Sequence, residues 1–535
     1  MDYNNLKENI CEVQDPLTNN DQDHKNPQQN NKLICNLKNH VIETEDNTDG
    51  NESVCYMMKE ISKISYSTTL TYICIFLQET ISLIFIGQRY NDGDYAEAIG
   101  FANLYVNCFF IEIAYGLASG FDTFGSNSFG VNKLRLFGLY YQRGILITGL
   151  IGICLLTFHW FFAMKIIGIL NLSEKILAIC KDYIQISMFY GFFDIFFYIN
   201  FKFLSIIGLS YILVIIMVVT LALHPLWCYI FIFVLDYGAS GAALSIVLTQ
   251  LLNALLTTAM VIFKCPYPQA IFCFTKRSFK NWWIYLKVSF PCIILTCAEM
   301  WAYEFLIVIA LWCSDLDNKV YVLTNNLLWI FYSIEIGFNY AAVILVGKYM
   351  AQNEVSKVKK IIKVTILYGV SLMTILALIL FFLRHVILYI YIDDHEIIEK
   401  GVNAVIIMAA GLITESIQSI MQGICRGLGK QLIASIIVFV SFYIFMFGLS
   451  IVFGKLLGMG VSGIWLSYVT GTTFSTIAYT IIIILFDYSQ LYKEALERVN
   501  NSNDFTKDIE KLEDMEKLDD KLDEQEQEET TQVPK

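Results

Sequence analysis

The feature that most constrains this chain is the stretch between residues 64 and 488, which consists mostly of Ile, Leu, Phe, Tyr and Val and divides into twelve apolar runs. A helix needs about 20 consecutive apolar residues to cross the hydrocarbon core of a bilayer. We therefore predict an all-α integral membrane protein with twelve transmembrane helices. The spans are expected at roughly 64–88, 97–119, 138–162, 182–205, 210–235, 240–263, 284–312, 320–344, 361–383, 401–424, 432–454 and 461–486.

The charged residues are most concentrated at the two ends of the chain. They make up only 16% of all residues, against about 25% in a typical soluble protein. The net charge of −12 therefore describes the ends more than the body, and no nucleic acid partner is expected because a basic face is lacking. We predict a disordered N-terminal tail at 1–63 and an acidic C-terminal tail at 487–535. Within the latter, 505–529 also allows a short charged helix or weak coiled coil, although a disordered segment is favoured.

The cysteines and the known nucleotide-binding motifs give no sign of a cofactor. Fourteen cysteines are scattered singly, with no Cys-x-x-Cys pair and no Cys/His cluster, so neither a metal site nor a disulfide framework is expected. No Gly-x-x-x-x-Gly-Lys-Ser/Thr loop occurs, so ATP is not expected to be the direct energy source. We predict that the protein is not an enzyme.

The basic residues in the connections predict the orientation of the chain. Sixteen Lys and Arg residues lie on the side of the tails and eight on the opposite side. The positive-inside rule therefore places both termini in the cytoplasm, in the plasma membrane or an acidic internal compartment. Asn171-Leu-Ser forms a glycosylation sequon in a loop that is predicted to lie outside; whether Asn171 is used is left open.

The two halves of the apolar region resemble each other at a nearly constant offset. Gly241-Ala-Ala-Leu-Ser245 recurs as Gly463-Ile-Trp-Leu-Ser467, a shift of 222 residues, and segment 170–174 aligns with 392–396 at the same shift. Six spans per repeat predict a parallel repeat, with a substrate path between two lobes. We place the lobes at 64–264 and 284–486, joined by a cytoplasmic linker at 265–283.

Four motifs follow one another along the spans. They are GLASGFDTFGSNSFG at 116–130, HPLW at 224–227 with GAAL at 241–244, PCIILTCAEMWAYE at 291–304, and QGICRG at 422–427. Together they resemble the eukaryotic type of the multidrug and toxic compound extrusion (MATE) family, over nearly all of residues 64–486. The resemblance implies antiport of organic cations or other amphiphilic compounds against protons or sodium. It also implies conformational or packing roles for Asp122 and Pro291.

Three glutamates lie in the middle of predicted spans: Glu299 and Glu304 in the seventh, and Glu415 in the tenth. An ionisable side chain near the bilayer centre costs about 2.5–3.5 kcal/mol, so it should face the bundle interior or a wet cavity. Burial in an apolar pocket favours the protonated form of a carboxyl group. Such a group can bind a proton on one side of the membrane and release it on the other. The alternative is a protonated glutamate that locks two helices through a hydrogen bond.

The spacing within the seventh span separates its two glutamates. Five residues correspond to a rotation of about 140° around a helix, so we expect one carboxyl to face the central cavity and the other to face neighbouring helices. Trp301 and Tyr303, which lie beside them, are candidates for an aromatic wall against flat cations. The resemblance also implies that Glu415, eleven residues before Arg426, is the tenth-span glutamate of the family.

Departures from the family pattern concern other acids. Where eukaryotic relatives usually carry an eighth-span glutamate, this chain has Asn326, with Glu335 further along. Glu335 either takes over part of the lost role or faces water near the cytoplasmic vestibule, and we favour the second. Ser82 stands where prokaryotic members have an aspartate, so Glu79, one turn earlier, is a possible acid of the first lobe.

Other residues in the first lobe argue against an ion site in that lobe. Cys228 replaces the fifth-span asparagine of the family, and Glu112 and Asp194 have helix packing or a wet groove as their default role. We therefore predict that the second lobe carries the coupling carboxyls, and that protons are the coupling ion rather than sodium.

The predicted function is a secondary active antiporter that exports organic cations, xenobiotics or amphiphilic metabolites in exchange for protons by alternating access. The expected partners are a small-molecule substrate, protons and membrane lipid, with the protein as a monomer. Two alternatives stay open. One is a flippase for lipid-linked substrates, which would need a basic central cavity; the other is a non-transporting receptor or scaffold.

Overall fold

The structure, a computed structural model, describes residues 54–90, 93–170, 172–391 and 395–500. Apolar segments in a bilayer become helices because a helix pairs its backbone polar groups within the segment itself. Twelve helices in the described ranges are long and apolar enough to cross a membrane, and these ranges contain no strand. The predicted class, an all-α integral membrane protein with twelve membrane-spanning helices, is confirmed.

The first half of the protein consists of six helices. They are α1 (Val54–Tyr90), α2 (Gly93–Val106, continued through a π-helical turn at Asn107–Ile111 by Glu112–Gly130), α3 (Leu134–Ile167), α4 (Glu174–Ile206), α5 (Ser210–Cys228, extended by a π-helical turn at Tyr229–Val234) and α6 (Gly238–Lys264).

The second half contains six further spans and one helix after them. They are α7 (Trp282–Cys313), α8 (Asp315–Ala351), α9 (Val355–Tyr391), α10 (His395–Gly427), α11 (Gln431–Phe439, continued by Val440–Phe447, Gly448–Ser450 and Ile451–Leu456), α12 (Gly460–Leu485) and α13 (Tyr488–Asn500).

The repeat predicted from the sequence reappears in the backbone of the turns. Four positive φ angles of the first half have partners 221 or 222 residues later: Asn132 (57°) with Asn353 (63°), Gly208 (81°) with Gly429 (78°), Asp236 (53°) with Gly458 (68°), and Gly238 (56°) with Gly460 (60°). The π-helical turn that ends α5, Tyr229–Val234, likewise has a counterpart at Ile451–Leu456. Left-handed backbone is costly for most residues, so its recurrence at one offset supports two lobes of the same design.

Several helices extend beyond the predicted spans, and two of the differences reach into the predicted tails. α1 begins at Val54 rather than at residue 64, and α13 occupies a segment that was assigned to the acidic tail. Both segments are too polar to read as spans, yet each buries an apolar face. In α13 that face consists of Leu491, Ala495 and Val499, four residues apart. Of the tails predicted at 1–63 and 487–535, residues 1–53 and 501–535 lie outside the described residues, as does Asn171.

The two halves meet closely where α2 packs against α7. A Cβ atom at Gly116 would lie 2.5 Å from the Cα atom of Ile293, and one at Gly120 would overlap the Ser289 side chain. Small residues allow helices in a membrane to approach at this distance. Pro291, inside α7, lies between the two residues that make these contacts. The α2–α7 pair thus sets one boundary of the space between the halves.

Candidate functional site

A cavity of about 710 Å³ lies between the two halves and is lined by α1, α2 and α4 from the first and by α7, α8 and α10 from the second. Its volume is within the range of small-molecule sites, about 300–1,000 Å³. It extends to Glu97 near the start of α2 and to Asn318 near the start of α8. Both residues belong to the face opposite the tails, so the cavity reaches toward that face.

The charged side chains along the cavity are almost all acidic. Five glutamates and one arginine line it: Glu79, Glu97, Glu112, Glu299, Glu304 and Arg426. Aromatic rings complete much of the lining, among them those of Tyr72, Phe76, Phe101, Tyr115, Tyr190, Tyr198, Trp329 and Tyr332. This combination of negative charge and π faces suits a cationic guest.

Trp301 and Tyr303 are not among the lining residues, contrary to the prediction of an aromatic wall. The Trp301 indole N–H donates to the backbone oxygen of Cys108, 2.9 Å away in the π-helical turn of α2. Tyr303 is buried behind the lining, with its ring centroid 5.6 Å from that of Phe442. The rings that do line the cavity were missed because the chain has 31 tyrosines, and their sequence positions carry no sign of which ones face inward.

Glu299 lies at the boundary between the cavity and the interior of the second half. Its side chain is 4% exposed, and each of its carboxyl oxygens accepts a hydrogen bond from an amide of α10. The Gln422 amide lies 2.6 Å from Oε2 and the Gln418 amide 3.3 Å from Oε1. Gln418 also donates to Glu415 Oε1 at 3.2 Å. Gln418 therefore bridges two of the three predicted carboxyls.

A chain of oriented donors connects Glu299 to Arg426. The Arg426 guanidinium donates to Asn339 Oδ1, and Asn339 Nδ2 donates to Gln422 Oε1 at 3.0 Å. Gln422 in turn donates to Glu299. Since every bond runs in the same direction, the positive charge of Arg426 polarises the whole chain toward Glu299.

The amide members of this chain were not predicted, although the sequence contains a signal for them. Glu415, Gln418, Gln422 and Arg426 are spaced three, four and four residues apart, which places them on one face of a helix. A polar stripe on an otherwise apolar span indicates a face turned toward polar partners.

Glu304 lines the same cavity as Glu299, so the expectation that one of the two faces only neighbouring helices is wrong. The reason is the position of α7, which packs against α2 of the first half and α8 of the second. A helix in that position borders the cavity with more than one of its faces. The rotation between the two carboxyls therefore separates them along the lining without removing either from it.

The three acids that the sequence analysis named in the first half lie in or near the space between the halves. Glu79 lines the cavity and accepts a long hydrogen bond of 3.5 Å from the Tyr190 hydroxyl. One turn beyond Tyr190, Asp194 is buried, and neither of its carboxyl oxygens has a hydrogen-bond partner among the described residues. Glu112 also lines the cavity. Acids therefore face the space between the halves from both sides.

Ser82 and Cys228 belong to a separate, uncharged cluster around His224. The Ser82 hydroxyl lies 2.8 Å from His224 Nε2, and Thr249 Oγ1 lies 2.8 Å from Nδ1. Cys228 Sγ is 3.4 Å from Nε2. Side chains of α1, α5 and α6 thus satisfy both ring nitrogens of a fully buried histidine.

On the side of the tails, the cavity ends at contacts between the halves. Asp122 of α2 forms a 2.9 Å ion pair with Lys202 of α4, and both side chains are completely buried. Lys202 also donates to the hydroxyl of Tyr340 on α8. Beside them, Thr123 donates to the backbone oxygen of Arg426 at 3.1 Å. The ion pair links α2 to α4, and the other two bonds join these helices to the second half.

Glu335 lies inside the second half, and the expectation that it faces water is wrong. Its side chain is 1% exposed, and neither carboxyl oxygen has a hydrogen-bond partner among the described residues. The sequence position near the end of a span did not show this, because α8 continues to Ala351. The additional turns cover the residue with neighbouring helices.

Comparison with known proteins finds similarity over most of the chain. The MatE family model matches residues 68–230 and 291–452. "Multidrug and toxin extrusion protein 1" of Danio rerio is 25% identical over 452 residues, which are 84% of this chain and 76% of that protein. "Protein DETOXIFICATION 17" of Arabidopsis thaliana is 23% identical over 400 residues, covering 74% of this chain and 83% of that protein.

Solved structures share the fold. The crystal structure of the eukaryotic MATE transporter AtDTX14 superposes with a TM-score of 0.79 at 18% identity, covering 84% of this chain and all of that one. A mutant form of the Vibrio cholerae MATE transporter VcmN gives a TM-score of 0.74 at 15% identity, covering 82% of this chain and 99% of the other.

Proposed function

The chain belongs to the multidrug and toxic compound extrusion (MATE) family of membrane transporters, and from that premise we propose that it exports organic cations in exchange for protons. The observation that carries the proposal is the position of Glu299. It borders the cavity and is held from behind by two amide donors. One carboxyl group is thereby accessible to a substrate and linked to a buried polar network.

The composition of the cavity supports a cationic substrate. Five glutamates against one arginine give the space a negative potential, which raises the local concentration of cations. Tyrosine and tryptophan faces add a favourable contact for a cation that has lost its water. A flippase for phosphate-bearing substrates would need the opposite charge, and a receptor without a transport cycle would not need acids on both halves.

Coupling follows from the two states of Glu299. As a carboxylate it accepts from Gln418 and Gln422 and attracts a cation in the cavity. As a carboxylic acid it no longer carries this charge. Its protonated oxygen is then a hydrogen-bond donor, so one of the two amide hydrogen bonds cannot form as before. Proton and cation therefore compete for one site, which is the requirement for exchange.

Alternating access then requires that the contacts on the side of the tails open while the opposite face closes. The bonds that join the halves there, from Lys202 to the Tyr340 hydroxyl and from Thr123 to the backbone oxygen of Arg426, are the ones that such a movement would rearrange. We propose that both termini lie in the cytoplasm, in agreement with the distribution of basic residues. The cavity would then extend toward the outside. We further propose that the protein works as a monomer.

The test is uptake of a fluorescent organic cation into proteoliposomes that contain the purified protein, under an imposed pH gradient. The wild type is expected to accumulate the cation when the interior is acidic. Glu299→Gln is expected to lose at least nine-tenths of this accumulation, which is about 1.4 kcal/mol of driving force or more. Glu174→Gln makes the same chemical change at an exposed position and should behave as the wild type. Uptake that does not depend on the pH gradient, or a fully active Glu299→Gln variant, would show that the proton-coupled mechanism is wrong.

A further inference from the structure

Glu335 differs from the other carboxyls of the second half because it is buried without a hydrogen-bond donor. It lies on α8, one turn before Asn339, and is 1% exposed. Neither of its oxygens is hydrogen bonded within the described part of the chain. It is not among the lining residues of the cavity, although Ser333 and Ile336, on either side of it, are.

The titratable groups that interact electrostatically with Glu335 disfavour a negative charge there. They are Glu299 on α7, Glu415 on α10 and Tyr468 on α12. A carboxylate at this position would be desolvated, would have no donor, and would be repelled by two further acids. Glu299, in contrast, has an amide donor on each oxygen. The surroundings of Glu335 therefore favour its protonated form.

Glu335 also lies between two residues that border the cavity. Tyr332, one turn earlier on α8, and Asn339, one turn later, both line it, and residues three or four apart share one face of a helix. A movement of the halves that widens this part of the cavity uncovers the same face of α8. Water then reaches Glu335, and solvation favours the charged form of its carboxyl group.

From this geometry we propose that Glu335 binds and releases a second proton in each transport cycle, in addition to the proton exchanged at Glu299 and Glu415. The inference rests on the proposed function. On release, the O–H bond of the Glu335 carboxyl breaks, its electron pair stays on the oxygen, and the proton passes to water. When this face of α8 is covered again, the proton is taken up again. The protein thus exchanges at least two protons for each cation.

The test measures the number of protons per substrate in proteoliposomes with the membrane potential clamped at zero. The steady-state ratio of radiolabelled tetraethylammonium across the membrane is determined at several pH gradients. The slope of the logarithm of this ratio against the gradient is the number of protons per cation. We expect a slope of at least two for the wild type. For Glu335→Gln we expect a slope that is one smaller, or an accumulation about tenfold lower for each pH unit.

Two matched variants separate a proton carrier from a structural group. Glu335→Asp retains a carboxyl group and Glu174→Gln changes an exposed glutamate, so both are expected to keep the wild-type slope. A non-zero wild-type slope that Glu335→Gln leaves unchanged would show that the proton at Glu335 is fixed, and the inference would be overturned while the proposed function stands. A wild-type slope of zero would overturn both. If Glu335→Gln fails to reconstitute, the wild-type slope decides: two or more supports the inference, and one overturns it.

Discussion

Single residues in this protein keep charge inside the membrane in different ways. Asp122 and Lys202 neutralise each other in a completely buried ion pair. Glu299 instead accepts a hydrogen bond from Gln422, which is connected through Asn339 to the guanidinium group of Arg426. The first arrangement fixes charge in place, whereas the second leaves a carboxyl group accessible from the cavity. Function is therefore expected at Glu299, and stability at the ion pair.

The ion pair predicts strongly non-additive effects of substitution. Either Asp122→Asn or Lys202→Met leaves one charge buried without its partner, which typically costs about 3–5 kcal/mol. The double variant removes both charges and is expected to be more stable than either single variant. Thermal unfolding of the purified protein in detergent measures this. If the losses from the two single substitutions simply add in the double variant, the two charges do not compensate each other.

At the scale of helices, small residues decide how the halves meet. Gly116 and Gly120 bring α2 against α7, and the π-helical turn of α2 offers the Cys108 oxygen to Trp301 of α7. Both features position α7, the helix that carries Glu299 and Glu304. The packing of two helices thus determines where two carboxyls border the cavity.

Gly116→Ala tests this packing. The new methyl group would meet the backbone of Ile293 at 2.5 Å, and backbone cannot move aside as a flexible side chain can. We expect a loss of about 1–3 kcal/mol in the free energy of unfolding. Gly100→Ala is the matched control on the same helix, since a Cβ there meets nothing within 4 Å. Equal stability of the two variants would contradict the close contact.

At the scale of the whole molecule, α13 connects the two halves on the side of the tails. The Tyr140 hydroxyl of α3 donates to the backbone oxygen of Arg498 at 3.4 Å. The Arg498 guanidinium donates to the backbone oxygen of Leu428, just after α10, also at 3.4 Å. Lys430 and Glu494 form an ion pair of 2.8 Å. A helix outside the spans thereby contributes to the relative position of the lobes.

Leu491→Ala is expected to weaken this connection. Leu491 is 2% exposed, and truncation of a buried leucine costs about 2–5 kcal/mol. Lys493→Ala changes an exposed residue of the same helix and should leave the melting temperature nearly unchanged. If Leu491→Ala melts at the same temperature as the wild type, α13 adds nothing to the stability of the folded protein.

Much of the architecture was predictable because it depends on distances along the chain. The length of each apolar run predicts a span, and the offset of 222 residues predicts the paired turns that the backbone shows. The motifs at 116–130 and 422–427 were sufficient to indicate the family. The helix starts at Val54 and Tyr488 were missed because these segments are rich in polar residues. Their few apolar side chains are buried only by packing against other helices.

The site was predictable in part, for the same reason. A glutamate in an apolar run must avoid lipid, so the sequence by itself determined that Glu299, Glu304 and Glu415 lie inside the protein. Only the tertiary structure decided that Glu304 borders the cavity beside Glu299, that Trp301 does not, and that Glu335 is enclosed. Which side of a helix faces a cavity depends on the helices packed around it, and these are far apart in sequence.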